Sequence, residues 1–128
     1  MSTEQYQAGI CNIGGPEVAR RKQVAYLGGG AFLFYSIYIL LQGSEVGSAI
    51  YAFIPAMIFS IGFIQSRKKF CLAYGLLGTF NFQKLGSISK VTDKQALAAD
   101  RRTAATIILQ AIGLALTLTM AVVLLSTI

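Results

Sequence analysis

The sequence predicts an all-α integral membrane protein with three transmembrane helices and one short interfacial or re-entrant segment. Composition, the placement of uncharged runs and the clustering of bases all point that way. Charged residues make up 12% and hydrophobic residues 55% of the 128 positions, whereas a water-soluble domain carries about 25% charged residues. A soluble fold of this composition would expose large apolar patches and aggregate. Three runs, 24–42, 46–65 and 103–128, contain no Asp, Glu, Lys or Arg, and the chain has no His. Each is close to the roughly 20 apolar residues that span hydrocarbon at about 1.5 Å rise per residue.

The chain is expected to form a single membrane domain. Residues 1–15 read as a cytoplasmic tail, and residues 16–42 as one helix whose membrane part is 24–42. Gly15-Pro16-Glu17 marks its start, because proline is tolerated at the first helical position and an acid there complements the helix dipole. The run at 24–42 starts far from residue 1 and lacks a small-residue cleavage site at its end, as expected of a retained span and not of a removable signal peptide. A short loop, 43–45, leads to the second span, 46–65, which Pro55 should kink by removing a backbone donor and crowding the preceding turn.

Bases orient the chain. Arg20, Arg21 and Lys22 precede the first run; Arg67, Lys68 and Lys69 follow the second; Lys84, Lys90, Lys94, Arg101 and Arg102 precede the third. Three crossings therefore place all eleven bases on one side. By the positive-inside tendency that side is the cytoplasm, with the amino terminus inside and the carboxyl terminus outside, in a multi-pass protein of an inner or plasma membrane.

Residues 66–102 are expected to form a cytoplasmic loop carrying the apolar stretch 70–82. A crossing by this stretch would move five bases outside and would ask about 20 Å of helix to span about 30 Å. An interfacial or re-entrant path is expected instead, with Phe70, Tyr74, Phe80 and Phe82 at headgroup depth. The connector 84–91 reads as a loop. Thr92 and Gln95 fit a capping box that starts a long helix near Asp93, running through the third span, 103–128.

In lipid, small and polar residues at helical spacing mark packing faces. Thr106, Gln110, Gly113 and Thr117 with Thr103 form such a stripe on the third span. Gly28, Tyr35 and Tyr38 with Ala31 and Gln42 form one on the first, and Ser48, Tyr51 and Pro55 a weaker one on the second. These faces are expected to meet in a bundle.

Catalytic signatures are sparse. Without histidine the usual metal ligand, haem ligand and proton shuttle are missing, and no acid lies inside a span to drive a coupled pump. No cofactor or metal is expected. Cys11 and Cys71 are the two thiols; both fall near the cytoplasmic surface, where reducing conditions favour free cysteines, and nearby cations would favour a reactive thiolate. The backbone of 11–15 offers a weak anion site before a helix start, opposed by Pro16 and Glu17.

The expected partners are membrane lipids, whose anionic headgroups Arg20, Arg21, Lys22, Arg67, Lys68, Lys69, Arg101 and Arg102 would contact. A homo-oligomer or a larger membrane complex is expected, and nucleic acid is not. The function expected first is a non-catalytic accessory subunit or self-associating scaffold. A lipid- or lipophile-handling enzyme or carrier at the cytoplasmic interface, drawing on Cys71, Tyr74, Asn81, Arg101 and Arg102, and an oligomeric pore lined by Thr106, Gln110 and Thr117 are the alternatives.

Overall fold

The computed structural model describes residues 6–43, 46–83 and 85–128. Residues 1–5 of the expected tail, Ser44 and Glu45 of the short loop, and Lys84 lie outside the described residues. In chain order the elements are α1 (Gly15–Gln42), α2 (Val46–Ile50), α3 (Phe53–Lys68), α4 (Leu72–Leu77), β1 (Thr79–Phe80), β2 (Ser89–Lys90) and α5 (Lys94–Ser126). Three helical stretches, Gly15–Gln42, Gly47–Lys68 and Lys94–Ser126, are long and apolar enough to cross a membrane. Their outer faces carry exposed Leu27, Phe34, Leu41, Leu109 and Leu116, the coat that a hydrocarbon solvent requires.

α1 starts where the sequence places it, with Pro16 in the first turn and extended Gly14 ahead of it. It ends at Gly43, whose φ of 63° lets its amide close back onto the Ile39 carbonyl. In the second of these stretches the helix is broken at Tyr51 and Ala52, one turn before Pro55. Proline at 55 has no amide for the Tyr51 carbonyl and its ring crowds that turn; the Ile54 amide takes the Tyr51 carbonyl instead at 3.2 Å.

The α1–α3 contact is a backbone-to-backbone approach. A Cβ on Gly28 would lie 2.5 Å from the Phe59 nitrogen, and one on Gly62 would lie 2.7 Å from the Ala25 nitrogen. Glycine at both positions lets the helices touch where dispersion between backbones replaces the missing hydrophobic drive.

α5 packs against α2, α3 and α4 through Ala104, Ile107, Ala111 and Ala115, each fully buried. That face corrects the expected one: Thr106, Gln110, Gly113 and Thr117 are exposed within the single chain, and Gly113 has nothing within 4 Å of an added Cβ. The physical reason is size, because alanine rows admit a neighbouring helix more closely than Thr and Gln do. Thr106 and Thr117 turn their hydroxyls onto the Arg102 and Gly113 carbonyls of their own helix.

Three further expectations change. The α5 cap is Asp93, not Thr92; its carboxylate accepts from the Ala96 amide at 2.9 Å. Phe70 does not sit at the surface but is wholly buried with Ala104 and Ile107. The connector is not all loop, since β2 pairs antiparallel with β1 (Thr79 opposite Lys90, Phe80 opposite Ser89). The apolar stretch thus folds as the six-residue α4, which packs against α5, followed by a short ribbon whose first strand contacts α4, and α4 is far too short to cross.

Candidate functional site

The end of the bundle that bears the bases holds a buried polar network with Glu17 at its centre. Glu17 is 2% exposed. Its carboxylate accepts from Arg21 Nη1 at 2.7 Å, from Asn81 Nδ2 at 3.1 Å and from the Tyr74 hydroxyl. Arg21 lies one turn along α1, the spacing that brings an acid and a base together on one helix face. Its second nitrogen, Nη2, donates to Cys71 Sγ at 2.9 Å, and its guanidinium carbon stands 5.9 Å from the Tyr74 ring centroid, within cation–π reach. One guanidinium therefore ties α1 to the thiol and the phenol at the start of α4.

A second layer fixes these groups. Lys69 ends α3 with a left-handed φ of 54°, which turns the chain so that Gln65 Oε1 accepts from the Leu72 amide at 2.8 Å and starts α4. Asn12, fully buried, clamps the backbone of Cys71 with two bonds: Nδ2 to the Cys71 carbonyl at 3.1 Å, and the Cys71 amide to Oδ1 at 2.7 Å. The tail is threaded between these parts. Asn12 and Ile13 donate their amides to the Lys69 carbonyl, Gly14 donates to Asn81, and the Asn81 amide returns to Asn12. Those amides are consumed within the fold, so the 11–15 turn offers no nest for an anion.

Farther along, Asp100 anchors the tail to α5. It is fully buried, accepting from the Gly9 amide at 2.6 Å and from the Tyr6 hydroxyl, while Thr103 Oγ1 donates to the Gly9 carbonyl at 2.6 Å. Burial and the bond to Asp100 push the Tyr6 phenol well above its ordinary range. Burial, with the bond to Glu17, pushes Tyr74 up to about 12. Both phenols stay protonated donors at neutral pH.

Glu17, Arg20, Arg21, Val24, Ile61, Gln65, Cys71, Leu72, Ala73 and Tyr74 line an open cleft of about 530 Å³. Glu17, Arg20, Arg21, Gln65 and Tyr74 give it polar groups, while Val24 and Ile61, farther along α1 and α3 from the basic end, and Leu72 give it apolar ones. Arg21 holds Glu17, the lining carboxylate. Arg20 is exposed, and among the described residues no carboxylate pairs with it. No family model, curated protein or solved structure matches this chain. What the cleft does must be argued from its chemistry.

The residues singled out from sequence divide. Arg20, Arg21 and Cys71 line the cleft, and Cys71, 3% exposed, packs against Ile13 and Val18. Lys22 and Arg67 line a smaller pocket on the other side of α1, with Arg67 5.7 Å from the Phe63 ring centroid. Lys68, Lys69, Arg101 and Arg102 are exposed; neither Arg101 nor Arg102 enters the cleft, where Cys71 and Tyr74 meet Arg21 instead. Cys11 is half-buried, its thiol 3.6 Å from the Ile13 carbonyl. Gly28 is buried, Tyr35 donates to the Ser48 carbonyl at 2.7 Å, Tyr38 is exposed and Pro55 half-buried. Among the described residues no three His, Cys, Asp or Glu side chains form a metal cluster.

Glu17, Asp100, Asn12 and Gln65 were not legible as site residues. The Glu17–Arg21 spacing was the available signal for the first, and it reads equally well as an exposed helix pair. Asp100 stands beside two arginines in sequence, which masks its burial.

Chemically the network favours holding over reacting. Glu17 already accepts three donors and so is not a free base. Cys71 has a guanidinium beside it and no histidine to take its proton. What remains is a cleft lined by Arg20, which no carboxylate pairs among the described residues, and by apolar Val24, Ile61 and Leu72, at a volume within the ~300–1,000 Å³ of ordinary ligand sites.

Proposed function

We propose that this protein is a non-catalytic, multi-pass membrane component whose basic end faces the cytoplasm and holds the headgroup of an anionic membrane amphiphile in the Glu17–Arg21–Tyr74 cleft. One observation carries the proposal. Arg20 lines a cleft whose carboxylate is taken by Arg21, which leaves its positive charge beside an opening also lined by apolar Val24 and Ile61. Guanidinium groups match phosphate oxygens with paired donors, and a base near an anionic leaflet gains about 1 kcal/mol. The fixed Arg21–Tyr74 wall would supply shape where a loose basic loop supplies charge alone.

The test is binding of phosphatidylglycerol and phosphatidylcholine to the detergent-solubilised chain, with Arg20→Gln as the variant. A preference for the anionic lipid that drops at least fivefold in Arg20→Gln supports the cleft. Equal binding of the two lipids, or a preference untouched by the substitution, rejects it. Orientation is tested separately with Ile128→Cys in a Cys11→Ser, Cys71→Ser background: an impermeant maleimide is expected to label it in intact cells, and labelling only after lysis contradicts the orientation.

A second reading, self-association, is favoured by Gln110. It is exposed on a helix long and apolar enough to cross a membrane, next in line to exposed Thr106, Gly113 and Thr117. An amide in hydrocarbon gains about 1 kcal/mol from a partner across a helix interface. Gln110→Leu should lower the oligomeric mass in mild detergent; a monomeric parent would remove this reading.

A further inference from the structure

The α1–α3 contact at Gly28 and Gly62 has two flanks, and one of them carries both the cleft and a second cavity in line with it. On α1, Val24 lines the cleft, and Ala31 and Tyr38, two and four turns on along the same face, line a groove of about 640 Å³. On α3 the row is Ile61 in the cleft, then Ile58 and Ile54 in the groove. Between the two cavities lie one helical turn of α3, Ile61 to Ile58, and two turns of α1, Val24 to Ala31. The opposite flank, with Gly29, Leu33 and Phe59, carries a separate pocket. Along this flank the lining passes from charged and amide side chains at the basic end to aliphatic and aromatic ones along the apolar helices.

This gradient is that of an amphiphile. From Val24 to Tyr38 this flank of α1 runs about 21 Å at 1.5 Å per residue, enough for a chain that crosses one leaflet of about 15 Å. Its outer wall is firm, because Tyr35 is tied to the Ser48 carbonyl at 2.7 Å and Pro55 stiffens the first turn of α3.

We infer that one anionic phospholipid lies along this flank, its headgroup in the cleft and an acyl chain running past Val24 and Ile61 into the groove beside Tyr38 and Ile54. The inference rests on the headgroup reading above and adds the path of the chain. Arginine at the polar end supplies the charge complementarity, and the alignment of the two cavities along one flank supplies the route. The site differs from the general lipid coat in being confined to one of the two flanks of α1–α3.

The experiment compares dihexanoyl with dioleoyl phosphatidylglycerol on the full chain in neutral detergent, for the parent, Ala31→Phe in the groove and Leu33→Phe on the other flank. The long-chain lipid should bind at least tenfold tighter than the short one. Ala31→Phe should cut that factor below threefold, and Leu33→Phe should leave it. A factor unaffected by Ala31→Phe, or lost equally in Leu33→Phe, overturns the chain path while headgroup binding by the short lipid still stands. Short-lipid binding no better than that of dihexanoyl phosphatidylcholine removes the headgroup reading and the inference with it. In the parent alone, a diazirine on the terminal chain carbon should label Ile54 or Ile58 at least fivefold over Leu33 or Phe59; equal labelling of both flanks overturns the inference whatever the variants do.

Discussion

Removing the Glu17 carboxylate is the sharpest perturbation of the basic end. In Glu17→Ala, Asn81 Nδ2 and the Tyr74 hydroxyl lose their acceptor in a site where Asn81 is 1% exposed. A buried donor left unsatisfied costs about 1–3 kcal/mol. Arg21 loses a partner too, but its side chain is 15% exposed and can turn to water, so that share is small. The sum is about 3–5 kcal/mol, the range found when one member of a buried pair is deleted. Glu17→Gln keeps one acceptor oxygen and should lose about half as much. Cys71 supplies the readout, because a thiol 3% exposed reacts with a fluorogenic maleimide only as the fold opens. In a Cys11→Ser background, Glu17→Ala should lower the midpoint of thermal labelling by on the order of 10 °C. A midpoint within about 2 °C of the parent would refute the claim that this carboxylate organises the site.

Gly28→Ala and Gly62→Ala each drive a methyl into opposing backbone, 2.5 and 2.7 Å away, and should destabilise by at least about 1–3 kcal/mol. Gly30→Ala and Gly113→Ala meet nothing within 4 Å and should be neutral or raise the same labelling midpoint slightly, as helix propensity gains up to ~1 kcal/mol. Asp100→Ala leaves the Gly9 amide and the Tyr6 hydroxyl without their acceptor; hydrogen exchange at Gly9 should quicken at least about tenfold, the equivalent of about 1.4 kcal/mol. Tyr74 has its folded pKa raised to about 12 from 10.0, so its contribution is complete below pH 10 and is lost as pH climbs through 12. In an alkaline absorbance titration the phenolate signal missing from Tyr74→Phe should therefore belong to the late end of the curve; a missing signal centred near pH 10 contradicts the buried hydrogen bond.

The uncharged runs and their basic borders were enough to define three membrane-length helices and their approximate ends, because transfer into hydrocarbon depends on composition over about 20 residues and not on neighbours. Local chemistry likewise marked Pro16 at the start of α1 and the helix break associated with Pro55. Which face of each helix meets protein was not decided at that level. In lipid every apolar face is equivalent, so the choice between the Ala104–Ala111–Ala115 row and the Thr106–Gln110–Thr117 row waits on shape, and close approach favours alanine.

The cleft was still less visible in one dimension. Asn12, Glu17, Cys71 and Asn81 come from four separate segments, and they meet only because the tail is threaded between the α3–α4 turn and β1. An isolated Glu near a helix start reads as a dipole partner in water; burial among Arg21, Tyr74 and Asn81 makes it the centre of a network. Hydropathy along the chain set the solvent for each segment, while the long-range hydrogen bonds that the tertiary fold brings within reach decided which polar groups could leave water together.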